Sequence, residues 1–347
     1  MKRHLLFLAA LLIVNLAASA QKKFSVYAVG FYNQENLFDT CHDEGKKDYE
    51  YLPNKGWNGM KYTNKLRNMS KALADMGTDV LPNVGCAFIG LSEVENHKVL
   101  DALVDQAPLK ARNMNYVHIE GPDRRGIDCA LLYNPALFSV KNVKLLPYVQ
   151  ELAKDSAFFT RGFLTVRGEM AGDDVAVIVC HWPSRFSGPF YRESAARQVK
   201  VIKDSLLNVN QEMKIFVMGD MNDDPVNKSM HVYLQAKPEI SQVGAGDMYN
   251  PWYNVLAKEG KGTLFYSGNW NLFDQIVITP NLLNKDAKKK DYSSLKYWKS
   301  HIFRRDYLIQ QEGQYKGAPL RTTAGGRWLN GYSDHLPVVM YLVKEKK

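Results

Sequence analysis

Short clusters of polar residues follow one apolar run after another along this chain. Asp220 and Asn222 stand two residues apart after the run that ends at Met218, so in an extended segment their side chains face the same side. Asp274 interrupts another apolar run, and His335 directly precedes one. The clusters are Asn33-Gln34-Glu35-Asn36, Glu93-Val94-Glu95-Asn96, His181-Trp182-Pro183-Ser184, Gly219-Asp220-Met221-Asn222-Asp223-Asp224-Pro225, Asp274 and Ser333-Asp334-His335.

The repetition of these clusters predicts a shared site. A single polar strand end is only a turn, but six in one chain indicate convergence on one rim of a sheet, where strand ends hold reactive groups rigidly. Carboxylate and amide oxygens without thiolates favour a hard cation, so we expect Mg²⁺, with Mn²⁺ or Ca²⁺ as alternatives. The reaction class that follows is metal-assisted hydrolysis of a phosphate ester.

The ordered set of motifs resembles the endonuclease/exonuclease/phosphatase superfamily, whose fold deoxyribonuclease I and exonuclease III share. The strings FYNQENLF, LSEVEN, GDMNDDP and YSDHLPV are similar to its successive motifs and extend over essentially the whole chain after residue 20. The resemblance implies an α/β fold, a four-layer α/β sandwich in which two packed mixed β-sheets are flanked by helices.

The resemblance also implies a metal site. Glu93 resembles the principal metal ligand of the family, with Asn33 and Asp334 as its companions and Glu35 as a further candidate. Two structural alternatives remain open: Glu93 could cap a helix that begins near His97, and Asn33 could be a turn residue.

Four further residues resemble the catalytic set. Asp220 is similar to the carboxylate that orients and deprotonates the attacking water, and Asn222 to the amide that holds a phosphate oxygen. His335 resembles the histidine that contacts the scissile phosphate, with Asp274 as the carboxylate paired to its imidazole, which would raise the pKa of His335. The alternative for His335 is a structural histidine that is hydrogen-bonded in the core.

His181 resembles the second histidine of deoxyribonuclease I-like and sphingomyelinase-like members, which exonuclease III-like members lack. Arg185 is our candidate for a contact to the substrate phosphate, with Arg125 and Arg161 as others, because a guanidinium matches phosphate geometry. Ordinary surface arginines are the alternative. Asp274 is followed by Gln275 rather than arginine, which weakens a phosphoinositide assignment.

Many strands with a few helices between them must position these residues. Helices are predicted from the spacing of apolar residues at 62–76, 97–106 and 192–207. A Lys-rich segment at 281–327, in which residues 285–327 have no counterpart that we place in the family, is predicted to be an elaborated loop. Strands are predicted at 24–32, 87–92, 129–133, 163–168, 175–180, 215–218, 272–279 and 336–343.

The chain has 347 residues and no linker long enough to separate a pair of domains, so we predict one domain at 21–347. Residues 1–20 read as a cleaved signal peptide, because Lys2 and Arg3 precede a short apolar run and Ala18-Ser19-Ala20 is a cleavage site. Export permits disulfides, but Cys129 and Cys180 lie in apolar runs typical of buried thiols.

The expected function is an exported, periplasmic or secreted phosphodiesterase, with a nuclease as the leading interpretation. The formal charge of +9 suits a polyanionic substrate such as nucleic acid. A phosphomonoesterase or a sphingomyelinase-like phospholipid phosphodiesterase would use the same residues, and a non-catalytic binding module is a third class. We expect a monomer without a stable membrane anchor.

Overall fold

The computed structural model describes residues 23–151, 158–286 and 288–346, and the predicted signal peptide lies outside them. The helices are Gly59–Asp75 (α1), His97–Val104 (α2), Ala107–Ala111 (α3), Pro189–Val209 (α4) and Tyr253–Ala257 (α5). The strands are Phe24–Leu37 (β1), Phe88–Val94 (β2), Asn115–His118 (β3), Asp128–Tyr133 (β4), Phe138–Leu146 (β5), Phe163–Met170 (β6), Asp173–His181 (β7), Lys214–Asp220 (β8), Ala236–Lys237 (β9), Met248–Tyr249 (β10), Leu264–Tyr266 (β11), Asn269–Asn271 (β12), Asp274–Ile278 (β13), Lys296–Ile302 (β14), Thr323–Ala324 (β15), Arg327–Trp328 (β16) and Val338–Glu345 (β17).

Two large sheets form the centre of the protein. The first has six strands in the order β14-β17-β1-β2-β4-β3, and the second has seven in the order β5-β6-β7-β8-β13-β10-β9. Strand β1 runs parallel to β2 and antiparallel to β17, while β8 runs parallel to β7 and antiparallel to β13. Both sheets are therefore mixed, as expected.

The alternation of side chains along the strands explains the layers. In β1, Val29 and Phe31 pack into the core between the two sheets, whereas Ala28 and Tyr32 pack under α1 and α2. Helix α4 covers the outer face of the second sheet. The order is helix, sheet, sheet, helix, which confirms the four-layer α/β sandwich. Each large apolar side chain buried here contributes roughly 1.5–3 kcal/mol, so the core holds the strand ends in fixed positions.

The predicted loop at 281–327, including residues 285–327, contains β14, β15 and the first residue of β16, so that prediction is wrong for these strands. Strand β14 pairs with β17 at the edge of the first sheet, with a register irregularity between Tyr297 and Lys299. Lysines are common on edge strands, where they discourage pairing with other chains, and they lower the apparent hydropathy. The irregularity also interrupts the two-residue period by which a strand is recognised.

Two smaller findings complete the fold. Cys129 and Cys180 are buried as predicted, and all four cysteines are free thiols. Across residues 23–151, 158–286 and 288–346, no helix has the length and apolar character needed to cross a membrane.

Candidate active site

The sheet topology brings the polar strand ends to one edge. Strands β7 and β8 are parallel and both end there, while the antiparallel β13 begins there. His181 and Asp274 are consequently the cross-strand partners of Asp220 on its two sides. In the first sheet, β17 is antiparallel to β1 with Val338 opposite Phe31, so the residues before Val338 lie beside the end of β1.

The side chains from both sheets meet in a continuous series of contacts. The Glu93 Oε1 atom lies 3.8 Å from His181 Nε2, which lies 3.6 Å from Asp220 Oδ2. The same Asp220 oxygen lies 3.8 Å from His335 Nε2, which is 3.9 Å from Asp334 Oδ1. We call these five residues, together with Asn33 and Asp274, the strand-end cluster. It unites all predicted catalytic and metal residues.

Asp220 is at the centre of the cluster and is almost completely buried. Its Oδ2 accepts a hydrogen bond from Asn33 Nδ2 at 3.0 Å, and its Oδ1 accepts one from the Asn222 backbone N–H at 2.8 Å. Burial raises the pKa of Asp220 to about 6, although the nearby His335 opposes the shift. A carboxylate with such a pKa is better matched to a general base near neutral pH than an ordinary aspartate.

The two histidines beside Asp220 have opposite electrostatic environments. Burial, reinforced by the Arg161 and Arg125 cations, lowers the pKa of His181 well below its usual value, so this imidazole is neutral. Burial would also lower the pKa of His335, but the Asp274 and Asp220 carboxylates raise it well above its usual value. Titratable groups with such divergent pKa values are a mark of acid–base sites.

Asp274 and His335 form a short hydrogen bond of 2.7 Å between Oδ2 and Nδ1, and both residues are buried. Thr263 makes hydrogen bonds to the backbone beside both residues of this pair. Its Oγ1 accepts a hydrogen bond from the Asp274 backbone N–H at 3.3 Å, and its carbonyl oxygen accepts one from the Leu336 N–H at 2.8 Å. Thr263 is fully buried and precedes β11 directly, so the hairpin fixes both members of the pair.

The backbone near Glu93 is unusual. Glu93, Glu35 and Asn36 adopt φ angles of 60°, 46° and 57°, which non-glycine residues rarely do. Glu93 Oε2 accepts a hydrogen bond from the Asn36 N–H at 3.0 Å. The cap of α2 is Asn96, whose side chain accepts from the backbone of the first helical turn. Helix capping therefore does not account for Glu93, and its carboxylate faces the cluster instead.

The three candidate arginines have different environments. Arg161 is buried and donates hydrogen bonds to the Asp123 carboxylate and the Trp182 carbonyl. Arg125 donates to Asn36 Oδ1 at the rim of the site. Arg185 is partly exposed, forms an ion pair with Asp224 at 2.8 Å and donates to the Asn222 carbonyl at 3.2 Å.

The Asn222 side chain donates a hydrogen bond from Nδ2 to the Trp182 carbonyl at 2.9 Å. Because Trp182 follows His181, this contact holds the Asn222 side chain near His181. The roles predicted for Asn222 and Arg185 toward a phosphate stay predictions. The positions of Asn222 and Arg185 close to the strand-end cluster are compatible with both predicted roles.

Residues 28–344 match the sequence profile of the Endonuclease/Exonuclease/phosphatase family. The chain belongs to this family. A comparison with curated protein sequences gave no match.

Solved structures with the same fold extend over nearly the whole chain. An endonuclease/exonuclease/phosphatase family protein from Bacteroides thetaiotaomicron is 14% identical, with a TM-score of 0.55 over 93% of this chain and 97% of that one. A mannosyl-6-phosphatase of that organism is 13% identical, with a TM-score of 0.55 over 91% and 99%. D. rerio TDP2 complexed with a single-strand DNA product is 11% identical, with a TM-score of 0.53 over 92% and 99%. Family membership supports a phosphoester hydrolase.

The donor set of this family member fits a hard divalent cation. Glu93 and Asp334 contribute partly exposed carboxylates, and Asn33 contributes an amide oxygen. Burial, and then the negative charge of Asp334, raise the pKa of Glu35 to about 7, although the Lys65 and Arg321 cations oppose the shift. Among the described residues, no group of three or more His, Cys, Asp or Glu side chains encloses a metal position. Mg²⁺ typically takes one or two carboxylates and keeps several waters, so it does not require such a group.

Besides Thr263, two residues of the site carry no motif and were not predicted from the sequence. Arg321 lies in the segment predicted as a loop, and its guanidinium joins Glu35 Oε1 at 3.3 Å to Asp334 Oδ2 at 3.0 Å. Lys65 of α1 is buried and donates to Thr322 Oγ1 at 2.6 Å and to the Tyr332 carbonyl at 2.5 Å. A lysine next to the apolar face of a helix ordinarily predicts a solvent contact, so nothing indicated its burial.

Proposed function

We propose that this protein is an exported, divalent-metal-dependent phosphodiesterase that cleaves nucleic acid. The observation that carries the proposal is a pair of neighbouring clefts that share Arg321; one is lined by Asp334 of the strand-end cluster and the other by Glu35. A phosphodiester has a substituent on each side of phosphorus, whereas a monoester has only one. Two clefts next to the candidate metal ligands therefore favour a diester.

The first cleft, which we call cleft A, has a volume of about 400 Å³ and reaches Asp334. Phe265, Tyr266 and Tyr315 are its aromatic residues, and Tyr266 is 69% exposed. Arg321 supplies its positive charge. Exposed aromatic faces next to a cation are typical of sites for single-stranded nucleic acid, where each stacked base contributes roughly 1–3 kcal/mol.

The second cleft, cleft B, has a volume of about 430 Å³ and reaches Glu35. Its lining combines Lys55 and Lys61 with the aromatic Tyr51 and Trp328, and the Lys61 ammonium lies 5.7 Å from the centre of the Trp328 ring. Cations and aromatic rings thus line both clefts. This shared composition favours a nucleic-acid strand that occupies the two neighbouring clefts.

The side chains of the cluster have separate roles in the proposed reaction. Asp220, with its raised pKa, orients and deprotonates the attacking water. His335 is held as a cation by Asp274 and donates to an oxygen of the scissile phosphate, where negative charge develops. His181 is neutral and adds a hydrogen bond to the same group, and Asn222 holds a further oxygen.

A divalent cation, with Mg²⁺ as the leading candidate, would be held by Glu93, Asn33 and Asp334. When bound, it supplies positive charge that stabilises the charge developing on the phosphoryl oxygens. Glu35 and Arg321 keep the Asp334 carboxylate in place beside it. The predicted signal peptide supports export, and N-terminal sequencing of the extracytoplasmic protein should begin near Gln21; a full-length cytosolic product would refute export.

The test is a hydrolysis panel with single-stranded DNA, duplex DNA, RNA, sphingomyelin, inositol phosphates and bis-p-nitrophenyl phosphate, each with and without EDTA. We expect EDTA-sensitive cleavage of bis-p-nitrophenyl phosphate and of nucleic acid, with single strands preferred. Cleavage restricted to monoesters would identify a phosphomonoesterase and refute the nuclease proposal. Cleavage of sphingomyelin alone would assign the phospholipid alternative, and no cleavage at all would indicate a binding module.

A further inference from the structure

A third cavity lies next to cleft A, and no residue of the strand-end cluster lines it. This distal pocket has a volume of about 580 Å³ and is formed by the β11–β12 hairpin, β14 and residues 314–318. Its volume is within the range of pockets that hold small organic ligands. Phe265 and Ala318 line both the distal pocket and cleft A, so the two cavities are neighbours that share a wall.

The walls of the distal pocket suit a flat ring. Phe265 and Trp270 stand side by side on the hairpin, with ring centroids 5.2 Å apart and planes inclined by 60°. Ile302 and Leu336 add aliphatic surface. A planar base that lies against these side chains would bury apolar area on one of its faces.

The rim of the pocket carries unbalanced positive charge. Lys261 pairs with Glu259 at 2.8 Å, and His301 contacts Asp79 at 2.9 Å. Arg304 and Lys316 have no ion pair with any residue in the described ranges; Arg304 donates instead to the Gly317 carbonyl at 2.9 Å. Two unpaired cations above aromatic walls are complementary to a phosphate attached to a base.

We propose that the distal pocket is a subsite for a nucleotide of the substrate strand, away from the scissile phosphate. The base lies against Phe265 and Trp270, and its phosphate contacts Arg304 and Lys316. This inference rests on the proposed nuclease function and specifies it further, since it makes cleavage depend on substrate length. The shared wall at Phe265 places cleft A between this nucleotide and the strand-end cluster.

The kinetic test compares substrates of different length. Bis-p-nitrophenyl phosphate is too short to reach the distal pocket, whereas oligodeoxyadenylates of increasing length fill it. In Arg304→Gln/Lys316→Gln, KM for the longer oligonucleotides should rise roughly 25-fold, about fivefold for each lost contact. The kcat/KM for bis-p-nitrophenyl phosphate should not change. Lys289→Gln/Lys290→Gln removes the same charge from an exposed region of the chain and serves as the control.

A binding test keeps the proposal separate from the nuclease assignment. Adenosine 5′-monophosphate should quench the fluorescence of Trp270, seen as the difference between the parent protein and Trp270→Phe. In Arg304→Gln/Lys316→Gln this quenching should require a roughly 25-fold higher nucleotide concentration, and orthophosphate alone should not cause it. If quenching behaves so but no oligonucleotide is cleaved, the nuclease proposal fails and the nucleotide site stands. Quenching that the double variant leaves unchanged, or KM values that are independent of these cations at every length, would overturn the subsite.

Discussion

Replacement of Asp274 by asparagine tests the electrostatic core of the site. Asp274→Asn keeps the size of the side chain and an oxygen able to face His335 Nδ1, but it removes the charge. The parent pair is separated by 2.7 Å and both side chains are buried. Breaking a buried pair by removal of one charge costs about 3–5 kcal/mol. His335 can escape that cost only by losing its proton, and then it no longer donates as a cation.

The expected loss of activity follows because His335 in Asp274→Asn is either an unpaired buried cation or a neutral imidazole. Loss of one preorganised electrostatic donor lowers kcat about 10²–10³-fold, or about 2.7–4 kcal/mol, which agrees with the cost of the broken pair. We therefore expect kcat on bis-p-nitrophenyl phosphate to fall by that factor, with KM changed far less. Circular dichroism should confirm the fold, and Asp105→Asn, at an exposed carboxylate, is the matched control.

The pH dependence gives an independent readout. In the parent, Asp274 and Asp220 raise the pKa of His335 above its ordinary 6.5, so the cation contributes fully below that value and is lost as the pH rises through the higher folded pKa. Without the Asp274 charge, burial lowers the pKa of His335. The alkaline limb of kcat/KM should accordingly move to lower pH in Asp274→Asn. Parental turnover with an unmoved alkaline limb would refute this account of the pair.

Three further substitutions test other regions of the site. Glu93→Gln should weaken Mg²⁺ binding measured by calorimetry while the fold survives, and unchanged titrations would remove Glu93 from the ligands. Asp220→Asn should lower kcat about 10²–10⁴-fold because the general base is lost; near-parental turnover would mean that another group activates the water. Thr263→Val leaves the buried Asp274 N–H without an acceptor and should lower the free energy of unfolding in urea by about 1–3 kcal/mol, whereas Thr263→Ser should recover most of it.

The central strands and the main helices were predictable because their apolar residues repeat with a clear period. Helix α4 and strand β7, for example, differ from the predicted ranges by only a few residues at their ends. Such end residues depend on local hydrogen bonds that periodicity does not describe. Strand β14 was not predicted from the sequence, because an edge position tolerates lysines and because its register is irregular.

The residues of the strand-end cluster were predictable for a different reason. They occur in short motifs at strand ends, and parallel or antiparallel pairing then fixes which ends meet. Arg321 was not predictable, because it reaches Glu35 and Asp334 from a segment without a motif. Thr263 was missed for a similar reason, since a buried threonine reveals its hydrogen-bond partners only in three dimensions.

The burial of Lys65 limits how freely the segment around Thr322 can be exchanged. Burial lowers the pKa of Lys65 to about 8, and its ammonium depends on acceptors at Thr322 and Tyr332. A chimera that replaced this segment with a shorter one would remove the Thr322 acceptor and leave the buried ammonium with the Tyr332 carbonyl, at a cost of about 1–3 kcal/mol. The segment around Thr322 and helix α1 therefore depend on each other. A transplanted segment should be tolerated best when residue 65 is exchanged together with the segment.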